Sequence, residues 1–124
     1  MSKRDHNLFL EDMLDAIEAI SRYTNSLDIK SFIDDRKTVD AVIRNLEILG
    51  EAASQVPESF KNKSVNIDWR GMIGLRNRLI HGYFGVDENI LWQIIQDDLP
   101  DLKSQLIELQ SKLVPRQLNE SWQV

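Results

Sequence analysis

The fold is decided by KTVDAVIRNLEILGEAASQ, residues 37–55. At about 100° per residue, Val39, Val42, Ile43, Leu46, Leu49 and Ala53 fall on one wide apolar arc. Asp40, Arg44, Glu47 and Glu51 form a narrow charged stripe opposite, with Ala41, Ile48 and Ala52 as a second, smaller apolar strip beside it. The period is helical, and alternating Val/Ile/Thr runs that would argue for strands do not occur in the chain. A helix apolar on two sides is ordinarily buried twice, against its own core and against a neighbour. A second copy of the chain in a symmetric dimer is the simplest such neighbour.

Upstream, residues 5–24 predict a first helix with Phe9, Met13, Ile17 and Ile20 on its apolar side, ended by Asn25 and Ser26. Ser31 to Asp35 reads as a short turn or helical link that Ser31 caps. Downstream, Pro57 and Lys61 to Ser64 make the longest irregular stretch. A third helix starts at Asp68 and Trp69, carries Met72, Ile73, Leu75, Leu79 and Ile80, and ends where Gly82 and Gly85 stand. Asp87 caps a fourth helix through Ile90, Leu91, Ile94 and Ile95. Pro100 predicts a break or kink, after which 101–113 form a fifth helix with Leu102, Leu106, Leu109 and Leu113. The tail 115–124, which includes Trp122, has no clear period and reads as flexible. The expectation is one all-α domain over residues 1–124, an antiparallel bundle of four main helices plus a short one.

Bulk properties narrow the function. A chain of 124 residues supports one core. With 42% apolar and 28% charged residues it is ordinary for a globular protein. No apolar run reaches the roughly 20 residues a bilayer demands, and no h-region follows Met1 to His6, so no membrane role and a cytoplasmic location are expected. Absence of cysteine excludes disulfides and thiolate metal sites. Two histidines, His6 and His81, make an all-histidine zinc site within one chain untenable, so neither metal nor cofactor is expected. A net charge of −5 argues against a generic nucleic-acid coat but permits local grip on RNA.

The chemistry is concentrated in Arg76-Asn77-Arg78-Leu79-Ile80-His81-Gly82-Tyr83. Arg76 and His81 are five apart, so a regular helix points them about 140° away from each other. Asn77 and His81, four apart, share a face. Convergence of Arg76 with His81 therefore needs either an early helix end near Ile80 or two chains meeting across a symmetry axis. An imidazole serves as general acid or base near neutral pH, and a guanidinium holds phosphate oxygens. Together they suffice for RNA cleavage by the neighbouring 2′-hydroxyl. The plainer reading is that Arg and His near a helix C-terminus cap carbonyls and complement the helix dipole.

Residues 76–87, Arg-Asn-Arg-Leu-Ile-His-Gly-Tyr-Phe-Gly-Val-Asp, resemble the extended motif of the HepT-like toxins within the HEPN superfamily. Residues 41–52, from Ala41 to Ala52, resemble that family's second-helix signature, and Trp69, Trp92 and Asp98-Leu99-Pro100 fit as well. The resemblance covers almost the whole chain. It implies a HEPN helical bundle, a homodimer or higher even oligomer, and a composite cleft between two copies of the motif. It also implies a metal-independent endoribonuclease toxin, with Arg76 and His81 as the catalytic pair and Asn77 as their polar companion. Tyr83 matches the tyrosine that a partner nucleotidyltransferase antitoxin modifies with AMP to silence the toxin. Bulk and negative charge at Tyr83 would oppose substrate phosphate.

Around this core, Arg44 and Glu47 either face the cleft or form an exposed salt-bridged stripe. Lys37, Lys61, Lys63, Arg70 and Arg78 are candidate contacts to the RNA backbone, Arg78 being the one inside the motif. His6 reads as a solvated helix-start residue. A second hypothesis is a non-catalytic helical module that regulates a partner nucleotidyltransferase or binds nucleotide in the dimer cleft. EDTA-insensitive cleavage leaving cyclic-phosphate ends separates the two. A purely structural bundle is the third reading, and it requires both signatures to be coincidence.

Overall fold

The computed structural model describes residues 6–82 and 86–112. Helix α1 (His6–Thr24) leads to the short α2 (Ile29–Asp34) and the long α3 (Arg36–Gln55). One further helical turn, α4 (Glu58–Lys61), precedes α5 (Trp69–Gly82). Then α6 (Glu88–Gln93), a π-helical turn (Ile94–Asp98) and α7 (Leu99–Ser111) follow without interruption. No strand occurs among the described residues, and the architecture is the expected all-α bundle. Among these helices, none is long and apolar enough to cross a membrane.

The arc read on α3 is the heart of the core. Val39, Val42, Leu46, Leu49 and Ala53 are buried, and they meet Leu10, Met13, Ile17 and Ile20 of α1 together with Leu106 and Leu109 of α7. Each such side chain contributes about 1.5–3 kcal/mol through its burial. Helix α3 packs against both α1 and α5. At Gly50 it approaches α5 closely. A Cβ there would collide with Arg76 Cβ and stand 2.8 Å from the Met72 carbonyl oxygen.

Local chemistry sets the helix ends. Asp28, rather than Ser31, is the N-cap of α2: its carboxylate accepts from the Ser31 amide, and the Ser31 hydroxyl oxygen accepts from the Asp28 N–H. Asp35 starts α3 by accepting from Thr38, and Asp68 accepts from the Gly71 amide at 2.9 Å to start α5. Asp87 caps α6 as expected.

Two expectations need correction. The helical run continues through Pro100, which stands in the first turn of α7 directly after the π-helical turn, so the break expected there is absent. The N–H of Leu99 bonds to Ile94 O, so the ladder that proline disturbs is already loosened to an i→i−5 step just ahead of it. The stretch after Pro57 is also more ordered than its lysines suggest. Phe60 is buried from α4, and Lys61 and Lys63 lie over the Trp69 and Phe60 rings at 5.9 and 5.1 Å. Their ammonium groups gain from the ring quadrupoles. Leu113 and the tail 115–124 with Trp122 lie outside the described residues.

Candidate active site

Helix α5 carries the motif, and its two sides carry different members of it. Arg76 points toward α3, where its Nη2 donates to Glu51 Oε1. Gly50 makes that approach possible, because any side chain there would occupy the space of the arginine stem. Glu51 is held in turn by Gln55, one turn along, whose Nε2 donates to Oε2 at 3.3 Å. Arg76 Nη1 donates to Asn77 Oδ1 at 2.7 Å, and its Nε is buried without a hydrogen-bond partner. The guanidinium is thus fixed at both ends and remains partly open to solvent, at 28% exposure.

His81 lies on the other side, exposed on the last turn of α5. Asn77 and His81 line one groove of about 640 Å³ together with Arg78 and Asp87, over a floor that includes Leu79 and Leu91. Arg76 does not line it. The divergence of Arg76 from His81 expected from helix geometry is therefore present, and Asn77 is the residue that connects them. It touches the guanidinium and shares the groove with the imidazole.

Arg78 is exposed at the junction of this groove with a second one of about 410 Å³, which Asp68, Asp98 and Asp101 also line. Three carboxylates make that second groove a poor track for RNA. Arg44 and Glu47 pair with each other at 3.4 Å, with Arg44 well exposed, and line neither groove. Of the stripe on α3 it is Glu51 that reaches the motif. Arg36 and Asp40 form an exposed pair at 2.9 Å at its start. Such surface pairs contribute tenths of a kcal/mol. Lys37 and Arg70 are exposed. Among the described residues no three His, Cys, Asp or Glu side chains are grouped to hold a metal ion. Tyr83 lies outside the described residues.

Sequence reasoning put Glu51 on the charged stripe but named only Arg44 and Glu47 from it for the cleft, read Asp87 as a cap at the end of the motif, and did not single out Gln55. Glu51 and Arg76 are 25 positions apart on different helices, so no local spacing connects them. The available signal was Gly50. A glycine inside a strongly apolar helix marks close approach of another element, and its polar neighbour then faces that element.

Residues 13–109 match a family model described as "Ribonuclease HepT-like". The chain is similar to a protein named "Probable ribonuclease HepT" from Thermococcus cleftensis, 45% identical over 107 residues that cover 86% of this chain and 97% of the relative. It is similar also to two proteins of Methanocaldococcus jannaschii, each named "Putative RNase". One is 42% identical over 106 residues, covering 86% of this chain and 97% of the relative. The other is 43% identical over 101 residues, covering 82% and 84%. No solved structure matches.

Proposed function

We propose, from the premise that this chain belongs to the HepT-like ribonuclease family, that it is a metal-independent endoribonuclease. The observation that carries the reading is the bond from Arg76 to Asn77, since Asn77 shares its groove with His81. It joins guanidinium to amide, and the amide shares a groove with the imidazole. In the proposed reaction His81 takes the proton of an RNA 2′-hydroxyl, and the 2′-oxygen attacks the adjacent phosphorus. The bond to the 5′-oxygen breaks, that oxygen receives a proton, and a 2′,3′-cyclic phosphate and a 5′-hydroxyl result. Arg76 stabilises charge developing on the phosphoryl oxygens, and Asn77 orients the phosphate. A symmetric pair of chains supplies the convergence that one α5 does not, with two motifs meeting in one cleft. The half-exposed Ile80 on α5 supports such a contact.

The same reading makes the protein a toxin that a partner nucleotidyltransferase silences by adding AMP to Tyr83. Its test is intact mass after incubation with ATP, magnesium and that partner, with gains in AMP units that Tyr83→Phe abolishes. For the nuclease itself, His81→Ala and Arg76→Ala each lose RNA cleavage in EDTA while staying folded. A folded His81→Ala protein that cuts at the wild-type rate sinks the reading.

One observation favours a second reading. Arg76 already holds a carboxylate, as a guanidinium would in a module that binds without cutting. Products with cyclic-phosphate ends formed by the wild type, and not by His81→Ala, exclude that module.

A further inference from the structure

We infer that Glu51 is a positioning residue for this centre. Acting through Arg76, it fixes the Asn77 amide so that its NH₂ group, and not its carbonyl, is presented beside His81. The inference rests on the nuclease reading given above and adds a residue that the motif does not contain.

The chain of contacts begins on α3. Both oxygens of Glu51 are committed, Oε2 to Gln55 Nε2 at 3.3 Å and Oε1 to Arg76 Nη2. The stem of Arg76 rests on Gly50, so neither end of the arginine is free to swing. Its Nη1 donates to Asn77 Oδ1 at 2.7 Å. A guanidinium has only donors, so only the oxygen of an amide can face it. That fact settles which way Asn77 is turned. With Oδ1 held, the two N–H bonds of Nδ2 are the polar group that Asn77 has left for the groove it lines with His81. A fixed donor next to an imidazole suits a non-bridging phosphate oxygen. One N–H on each Nη of Arg76 also stays available for the phosphate.

Glu51 does a second thing at the same place. Half exposed, its carboxylate competes with phosphate for the guanidinium. Removing it therefore loosens the geometry needed for turnover while easing RNA binding, so kcat and KM both fall.

The test is steady-state cleavage of a short RNA in EDTA by wild type, Glu51→Ala, Glu51→Gln and His81→Ala, with Tm recorded for each. For Glu51→Ala the expected result is a kcat about 10–100-fold lower, the scale for misplacing a catalytic group by about an ångström, with a lower KM. Glu51→Gln keeps an acceptor for Arg76 and recovers part of kcat. A merely structural role would lower Tm without lowering KM, and glutamine would rescue neither. Glu51→Ala at the wild-type kcat, or equal losses in both Glu51 variants, overturns the inference while leaving the nuclease reading intact. A wild type that cuts no better than His81→Ala removes the nuclease reading and this inference with it.

Discussion

Gly50→Ala is the sharpest test of how α3 and α5 meet. The new methyl group would collide with Arg76 Cβ, and would stand 2.8 Å from the Met72 carbonyl oxygen and 3.0 Å from Arg76 Cγ. Two of these are backbone or directly attached to it, so no rotamer change removes the overlap, and the helices must separate. Overpacking of this kind costs roughly 1–3 kcal/mol, against a gain of about 1 kcal/mol from replacing glycine inside a helix. Because no rotamer relieves the overlap, the cost falls in the upper part of that range, about 2–3 kcal/mol, and the net loss of about 1–2 kcal/mol lowers Tm by roughly 4–8 °C for a chain of this size. Gly74→Ala is the matched control on α5, because a Cβ there meets nothing within 4 Å. It is expected to gain about 0.4–1 kcal/mol from the narrower unfolded ensemble. The assay is urea and thermal unfolding of both variants beside wild type at one protein concentration. A Gly50→Ala protein as stable as wild type, or stabilised like Gly74→Ala, refutes the close packing of α3 on α5. The placement of Arg76 against Glu51 goes with it.

Other outcomes follow from the same packing and caps. Phe32→Ala removes a fully buried ring that packs against Trp92 with centroids 5.3 Å apart, and is expected to cost about 3–5 kcal/mol by chemical unfolding. The loss should also change the near-ultraviolet circular dichroism of the tryptophans. Asp28 is held below the ordinary carboxylate range by the Ser31 amide and then the Ser31 hydroxyl. Asp35 is held below it by the Thr38 hydroxyl and then the Thr38 amide. A lowered folded pKa contributes stability above the unfolded value, which is lost as pH falls through the folded one. Asp28→Ala and Asp35→Ala should therefore lower Tm at pH 7, and their difference from wild type should shrink below about pH 4. A gap that stays constant down to pH 2 would contradict the capping geometry.

What the sequence made legible was whatever depends on a single helix. The buried face of α3 follows from its period, as do the caps Asp68 and Asp87, the shared face of Asn77 and His81, and the divergence of Arg76 from His81. What was not legible depends on two helices. The Glu51–Arg76 contact is set by how α3 and α5 pack, and only Gly50 hints at it. Arg44 and Glu47 stand on the same charged stripe as Glu51, yet they pair with each other and not with the motif. Pro100 misled because its effect was judged for an ideal ladder, whereas the ladder ahead of it has a different step.

That step matters beyond the proline. Leu91, Ile95 and Leu99 are buried at intervals of four, and Leu102, Leu106 and Leu109 continue at three and four. A plain α-helix at intervals of four would carry its apolar stripe around the axis, and the wider π-turn turns it back. The helical run from Glu88 to Ser111 thus contains one residue more than a straight helix of the same faces would use. A relative lacking that residue keeps both ends of the helix in register by running as α-helix throughout. The natural place for a one-residue gap between such sequences is then inside this helix, at 94–98, and not in a loop. Any transfer of residue correspondences across Ile94–Asp98 has to carry that offset.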